Sequence, residues 1–256
     1  MKLTEIEIKG YTSIDGKSGQ TIPLGDVTVL LGANGSGKSN LVSFFKMINA
    51  MITGGLQQYV GRHGVSQLLF YGPKKTESIE FSLFFSSELL IDEYRVTLSF
   101  GLPDRLFICE EKVIYDATRE KIAPEYHIES GLSETSIKKD KTDISQMIYK
   151  LLSGIHTYQF HDTSDTAKIK DRNYVDDVMH LRGDAGNLAA FLKMLKNHDK
   201  YPSYYERIIR HIKTIMPQFG DFSLDTLPGN DRYVRLNWTD SDGSDYLFGP
   251  NQISDG

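Results

Sequence analysis

The sequence predicts an α/β protein: a strand–loop–helix unit, then an antiparallel β-meander, then a helical lobe. Three observations predict it. Residues 27–50, VTVLLGANGSGKSNLVSFFKMINA, pass from a short apolar, β-branched run through a glycine-rich turn into helical spacing. Residues 71–115 hold consecutive runs in which apolar and polar residues alternate. Residues 188–217 return to helical spacing twice, the second stretch opened by Pro202 and closed by Pro217.

At 256 residues, the chain is long enough to bury a sizeable core. The net charge of -5 argues against a protein that coats nucleic acid by bulk positive charge, while leaving room for a local basic patch. Cys109 is the single cysteine, which excludes a disulfide framework and a cysteine-rich zinc site. It stands in the strand-like run RLFICEEKV and reads as a small buried hydrophobe. The N-terminus MKLTEIEIKG alternates, with no signal-peptide core, and no apolar run has membrane-spanning length. A soluble, cytoplasmic protein is expected.

The first unit carries the chemistry. Gly32, Ala33, Asn34, Gly35, Ser36, Gly37, Lys38 and Ser39 fit G-x-x-x-x-G-K-[ST]. Glycines let the backbone curl until its N–H groups point at phosphate oxygens, and the following helix adds its positive end. Lys38 would reach the β- and γ-phosphates, and Ser39 would give its hydroxyl to Mg²⁺. Leu41, Phe44, Phe45 and Ile48 set the helix that follows. The expected cofactors are ATP and Mg²⁺.

The rest of the chain bears on the kind of site. Ile79, Phe81, Leu83 and Phe85 alternate in one run, and Tyr94, Val96, Leu98 and Phe100 in the next; RLFICEEKVIY follows. A meander straight after the P-loop helix argues against kinases and small GTPases, which continue as alternating strands and helices. Residues 89–93, LLIDE, invite another reading. Apolar residues ending in Asp92 and Glu93 resemble a Walker B strand, with Asp for Mg²⁺ and Glu for the attacking water. A hairpin turn is preferred, because three apolar residues are short for a buried parallel strand and the alternation resumes at Glu93.

Residues 116–150 read as a polar, charge-mixed insertion with a short helix from about Ile144 to Leu152. His161 and Asp162, in YQFHDTS, are a candidate metal or acid–base pair, but adjacent residues on a strand point to opposite faces, so a structural or interface role is preferred. Leu188, Phe191, Leu192 and Leu195 form one helical stripe, and Tyr205, Ile208, Ile209, Ile212 and Ile215 a second. Lys193, Lys196, Arg207, Arg210 and Lys213 lie off these stripes, as a solvated face or a DNA-contacting one. Strand-like runs return beyond Pro217, with Trp238 expected to pack among them.

An ordered set of segments spanning the chain is similar to RecF-like and SMC-like ATPases, the ABC-type heads grouped as AAA family ATPases. The set comprises the GANGSGKSN loop (32–40), YGPKKT (71–76), FHDTS (160–164), the LR-x-D-x-x-NLAAFL stretch (181–192), YYERI (204–208), the run ending in LNW (232–238) and F-x-P-x-Q-I-SDG (248–256). Thr12 stands where such relatives often carry a basic residue. The resemblance implies the N-terminal portion of an ABC-type P-loop NTPase head. Asn40 would join the nucleotide loop, and Ser254 and Gly256 would open the signature that grips ATP on a partner head. Gln67 is a candidate for completing Mg²⁺ coordination.

Implied boundaries are 1–115 for the P-loop lobe with its antiparallel subdomain, 116–217 for insertion and helical lobe, and 218–256 for strands returning to the core. Walker B and its catalytic Glu are expected downstream of the signature, so the catalytic residue is unassigned. Implied partners are a second head in a homodimer or higher oligomer, a nuclease and DNA, in repair or anti-phage defence. A nucleotide-sensing regulator, or a P-loop kinase or GTPase using Asp92 and Glu93, are the alternatives.

Overall fold

The computed structural model describes residues 1–87, 91–115, 124–160, 164, 166–227, 229–243 and 246–252. It divides into two compact units, Met1–His156 and Thr157–Gly256.

In the first unit the elements are β1 (Lys2–Lys9), β2 (Gln20–Pro23), α1 (Lys38–Ile52), α2 (Leu56–His63), α3 (Val65–Leu68), β3 (Ser78–Ser86), β4 (Ile91–Gly101), β5 (Arg105–Ile114), β6 (Glu125–His127) and α4 (Asp143–Ser153). The strands form one sheet in the order β2-β1-β3-β4-β5-β6, with every pairing antiparallel. The alternation in the sequence becomes its two faces. Ile6, Ile8, Ile79, Phe81, Leu83, Phe85, Tyr94, Val96 and Leu98 are buried in one core. The other face carries Glu7, Lys9, Glu80, Arg95 and Thr97 around a polar hollow.

Helix α1 covers the apolar face because Leu41, Phe44, Met47, Ile48, Met51 and Ile52 recur at three- and four-residue spacing. Phe44 lies at the centre of this contact. Its ring meets Phe81 edge-on at 5.4 Å and Tyr11 at 5.7 Å. Residues 124–156, expected with the helical lobe, belong to the first unit. His127 pairs with Lys112, and Asn49 of α1 donates to the Ile155 carbonyl at 3.0 Å. The Glu134 carboxylate accepts from the Leu56 and Gln57 amides at 2.9 and 3.0 Å, capping α2 from a distant loop.

Cys109 faces outward and is exposed, with its thiol 2.7 Å from Ser99 Oγ. The expected burial fails because the β4–β5 register shifts between Thr97 and Leu98, which turns Ile108 inward and Cys109 outward. The same shift brings Glu111 to the core side at 0 % exposure. Tyr94 donates its hydroxyl to Glu111 Oε1 at 2.5 Å, Thr135 donates to the same oxygen, and Oε2 has no partner.

Burial pushes the Glu111 carboxyl above its ordinary value of 4.5, against the opposing pull of the two hydroxyls. The fold therefore favours the neutral acid. That contribution is fully present below the unfolded value and is lost as pH rises through the folded one. Glu111→Gln keeps a neutral group of the same shape. Its thermal midpoint relative to the unaltered protein should rise between pH 4.5 and pH 8, as paired melts across that range would show.

The second unit holds β7 (Asn173–Tyr174), α5 (Leu188–Asn197), α6 (Pro202–Ile215), β8 (Phe219–Ser223), β9 (Thr226–Leu227), β10 (Asn230–Val234), β11 (Asn237–Asp240) and β12 (Leu247–Phe248). Two three-stranded sheets, β7-β10-β9 and β12-β11-β8, complete it. Its core joins Ala189, Ala190, Leu192 and Tyr205 to Leu224, Val234 and Leu236. The strand region beyond Pro217 packs with α5 and α6 in this core. Trp238 is stacked between Phe248 at 4.1 Å and Phe219 at 5.8 Å, as its place in the run suggested. The α6 stripe is covered only in part: Tyr205 is buried, whereas Ile215 is 85 % exposed.

Candidate nucleotide-binding site

Residues 24–40 connect β2 to α1 and then enter the helix. Within them, 27–31 form no strand, against expectation. Val27, Val29 and Leu31 are 85 %, 72 % and 90 % exposed, and Leu30 is 40 % exposed. No backbone group of 27–31 has a backbone hydrogen-bond partner among the described residues. A run with strand composition becomes a strand only beside another strand.

The glycine-rich turn follows. Gly35 and Gly37 adopt φ of +83° and +93°, which a side chain would resist. A Cβ on Gly32 would lie 2.6 Å from Ser36 Oγ. The Lys38 side chain folds back over the turn, and its ammonium donates to the carbonyls of Gly32 at 2.6 Å and Ala33 at 2.8 Å. Gly37 caps α1 without a side-chain hydrogen bond. The amides of Gly37, Lys38 and Ser39 find no acceptor among the described residues. Three unpaired N–H groups, the positive end of a 15-residue helix and one ammonium have the donor chemistry that could hold an anion. Ala33, Asn34 and Ser36 are exposed along its rim, and Ser39 is exposed in the first turn of α1.

The loop between β1 and β2 closes one side. Asn40 Nδ2 donates to Ser13 Oγ at 2.5 Å, and the Tyr11 and Ser43 hydroxyls lie 2.9 Å apart. The Thr12 amide donates to the Leu68 carbonyl at 2.8 Å, and Phe70 N–H to Gly10 at 3.0 Å. Gln67 is therefore one residue from a segment stitched to this loop, and it is exposed. Ser13 belonged to no motif. The pairing of β1 with β2 and the anchors at Tyr11 and Thr12 bring it to α1.

Asp92 and Glu93 lie elsewhere. Both are buried in β4, at 5 % and 4 % exposure, and Glu93 pairs with Arg95 at 2.7 Å. Asp92 stands opposite Phe85, and Phe85 opposite Leu3, at the start of β1. The P-loop is tied to the loop at the far end of β1. At about 3.3 Å per residue, the strand puts roughly 20 Å between Asp92 and Gly10. This pair is therefore no Walker B for the P-loop, which removes the kinase or GTPase reading that used it. The residues preceding it, 88–90, lie outside the described residues, as do His161, Asp162, Ser254 and Gly256.

Of the five cations on α5 and α6, two are engaged internally. Lys193 donates to the Leu224 carbonyl at 2.7 Å and Lys196 to Asp221 at 2.8 Å. Arg207 lies over the Tyr204 ring at 5.5 Å. Arg210 and Lys213 flank a hollow that also contains Asp221 and Glu206, so opposite charges meet there. Among the described residues, no group of His, Cys, Asp and Glu could hold a metal ion, and no helix is long and apolar enough to cross a membrane.

Residues 27–243 match the family described as "AAA domain, putative AbiEii toxin, Type IV TA system". A comparison with curated proteins gave no match. The family match begins at the apolar run before the P-loop and extends through most of the second unit. The chain belongs to this AAA-domain family and is a P-loop ATPase of the AAA type.

Proposed function

We propose that the chain is the ATP-binding N-terminal part of a RecF/SMC-like, ABC-type ATPase. Residues 32–40 hold the triphosphate, Lys38 neutralises its β- and γ-phosphates, and Ser39 gives one ligand to Mg²⁺. Gln67 supplies a second contact to that ion. Hydrolysis belongs to the intact dimeric head, in which a Walker B strand supplies the catalytic carboxylate. Ser254 and Gly256 grip the nucleotide of the partner head.

One observation carries this reading. The apolar run 27–31 leads into the phosphate loop yet is exposed and without backbone hydrogen bonds. Continuous apolar runs of this kind suit strands covered on both faces, as in a parallel sheet. A sheet completed by strands of the hydrolytic half would cover it. The resemblance adds DNA-linked work, in repair or anti-phage defence beside a nuclease.

The test is equilibrium binding and turnover of radiolabelled ATP and GTP by the purified chain. Mg²⁺-dependent binding of ATP without turnover is the expected result. Sustained turnover by this chain alone would sink the proposal. Binding that gains turnover only with the hydrolytic half would separate it from a nucleotide-sensing regulator.

A further inference from the structure

We infer that Ser13 is a nucleotide-contacting residue, whose hydroxyl donates to the phosphate nearest the nucleoside when residues 32–40 hold a nucleotide. This rests on the P-loop reading above and extends it to a residue outside any motif. The Ser13 side chain stands against the first turn of α1. A Cβ built on Gly37 would lie 3.7 Å from Ser13 Oγ, and Asn40 Nδ2 donates to the same oxygen at 2.5 Å. Because Asn40 supplies a hydrogen to the oxygen, the Ser13 proton is left to donate elsewhere. Gly37 beside it is the first of three successive residues, Gly37, Lys38 and Ser39, whose amides find no acceptor among the described residues. The surroundings thus offer donors, and a phosphate oxygen, which only accepts, is their chemical complement.

The backbone supports the same assignment. Thr12 holds φ at +48°, a costly conformation for a β-branched residue. Its amide is fixed to Leu68, and Tyr11 is fixed to Ser43 of α1. The strained residue immediately precedes Ser13, and the anchors at Tyr11 and Thr12 hold the loop to α1 and to the end of α3. The location selects the phosphate. Lys38 caps the 32–36 flank of the turn, whereas Ser13 meets the 37–40 flank at the helix start. The loop amides and the Lys serve the outer phosphates, so Ser13 serves the inner one. ATP and ADP share that phosphate, and the contact cannot tell them apart.

The experiment is titration of fluorescent ATP and ADP with Mg²⁺ into the unaltered chain, Lys38→Ala, Ser13→Ala and Ser13→Thr, with a thermal melt of each. Ser13→Ala should weaken ATP and ADP equally, by about tenfold, with an unchanged melting midpoint. Ser13→Thr, which keeps a hydroxyl, should remain within about twofold of the unaltered chain. In an Asn40→Ala background the loss from Ser13→Ala should shrink, because the two groups act together. Unchanged affinity in Ser13→Ala, alongside lost affinity in Lys38→Ala, would overturn the Ser13 assignment and leave the P-loop reading standing. A loss that tracks a lowered melting midpoint and is not restored by Thr would also overturn it. No nucleotide binding by the unaltered chain would overturn both.

Discussion

Lys38→Ala is expected to weaken ATP binding by about a hundredfold and ADP binding by less, because the ammonium serves the outer phosphates. The geometry explains the size of the effect. Among the described residues, Lys38 is the one ammonium joined to the turn, bridging two of its carbonyls at 2.6 and 2.8 Å. Removing it leaves the three helix-start amides in place, so residual affinity should persist. Lys38→Arg should not restore binding fully, since a planar guanidinium cannot replace a compact charge in a turn this tight. Calorimetric titration with ATP and ADP would measure both losses. Asp92→Ala, roughly 20 Å along the strand from Gly10, at the end of β1 away from the P-loop, should bind ATP as the unaltered chain does.

Phe44→Ala should destabilise the first unit by about 4 kcal/mol, the largest effect expected of any single truncation here. The side chain is fully buried and touches three aromatic rings: Tyr11, Phe45 and Phe81. Deleting it opens a cavity between α1 and the sheet, at the contact that sets how the P-loop helix lies. Nucleotide affinity should therefore fall too. Phe44→Leu should cost less, because much of the volume is kept. Urea unfolding followed by circular dichroism checks the magnitude. Trp238 fluorescence reports the second unit separately, as that is where the only tryptophan lies.

The elements legible in the sequence were those set by local period. Alternation in 78–86 and 91–101 became β3 and β4, and helical spacing from Leu41 became α1. The P-loop was legible because its chemistry is contiguous. What was not legible depended on partners distant in sequence. Residues 27–31 have strand composition but no neighbour to pair with. Cys109 changed faces because it is the extra residue at a register shift, unpaired between Ile108 and Glu110. Residues 124–156 joined the first unit through a β6 pairing and a carboxylate cap that no window around them contains. Ser13 reaches α1 from 27 residues away and carries no motif of its own. The stripe on α6 was correctly placed on a helix, yet periodicity says nothing about how much of a stripe is covered, and Ile215 stays exposed.

The bare run before the phosphate loop also has a bearing on the fate of the molecule in solution. VTVLL is uncharged, rich in β-branched residues and free of proline, and here its backbone is open. Such a segment is ready to zip onto its own copy. Asp26, exposed and paired with Lys2 at 2.8 Å, is the nearest charge that interrupts it. The residues that lead into the glycine-rich turn are thus open to self-pairing, and covering them would protect solubility and the turn together.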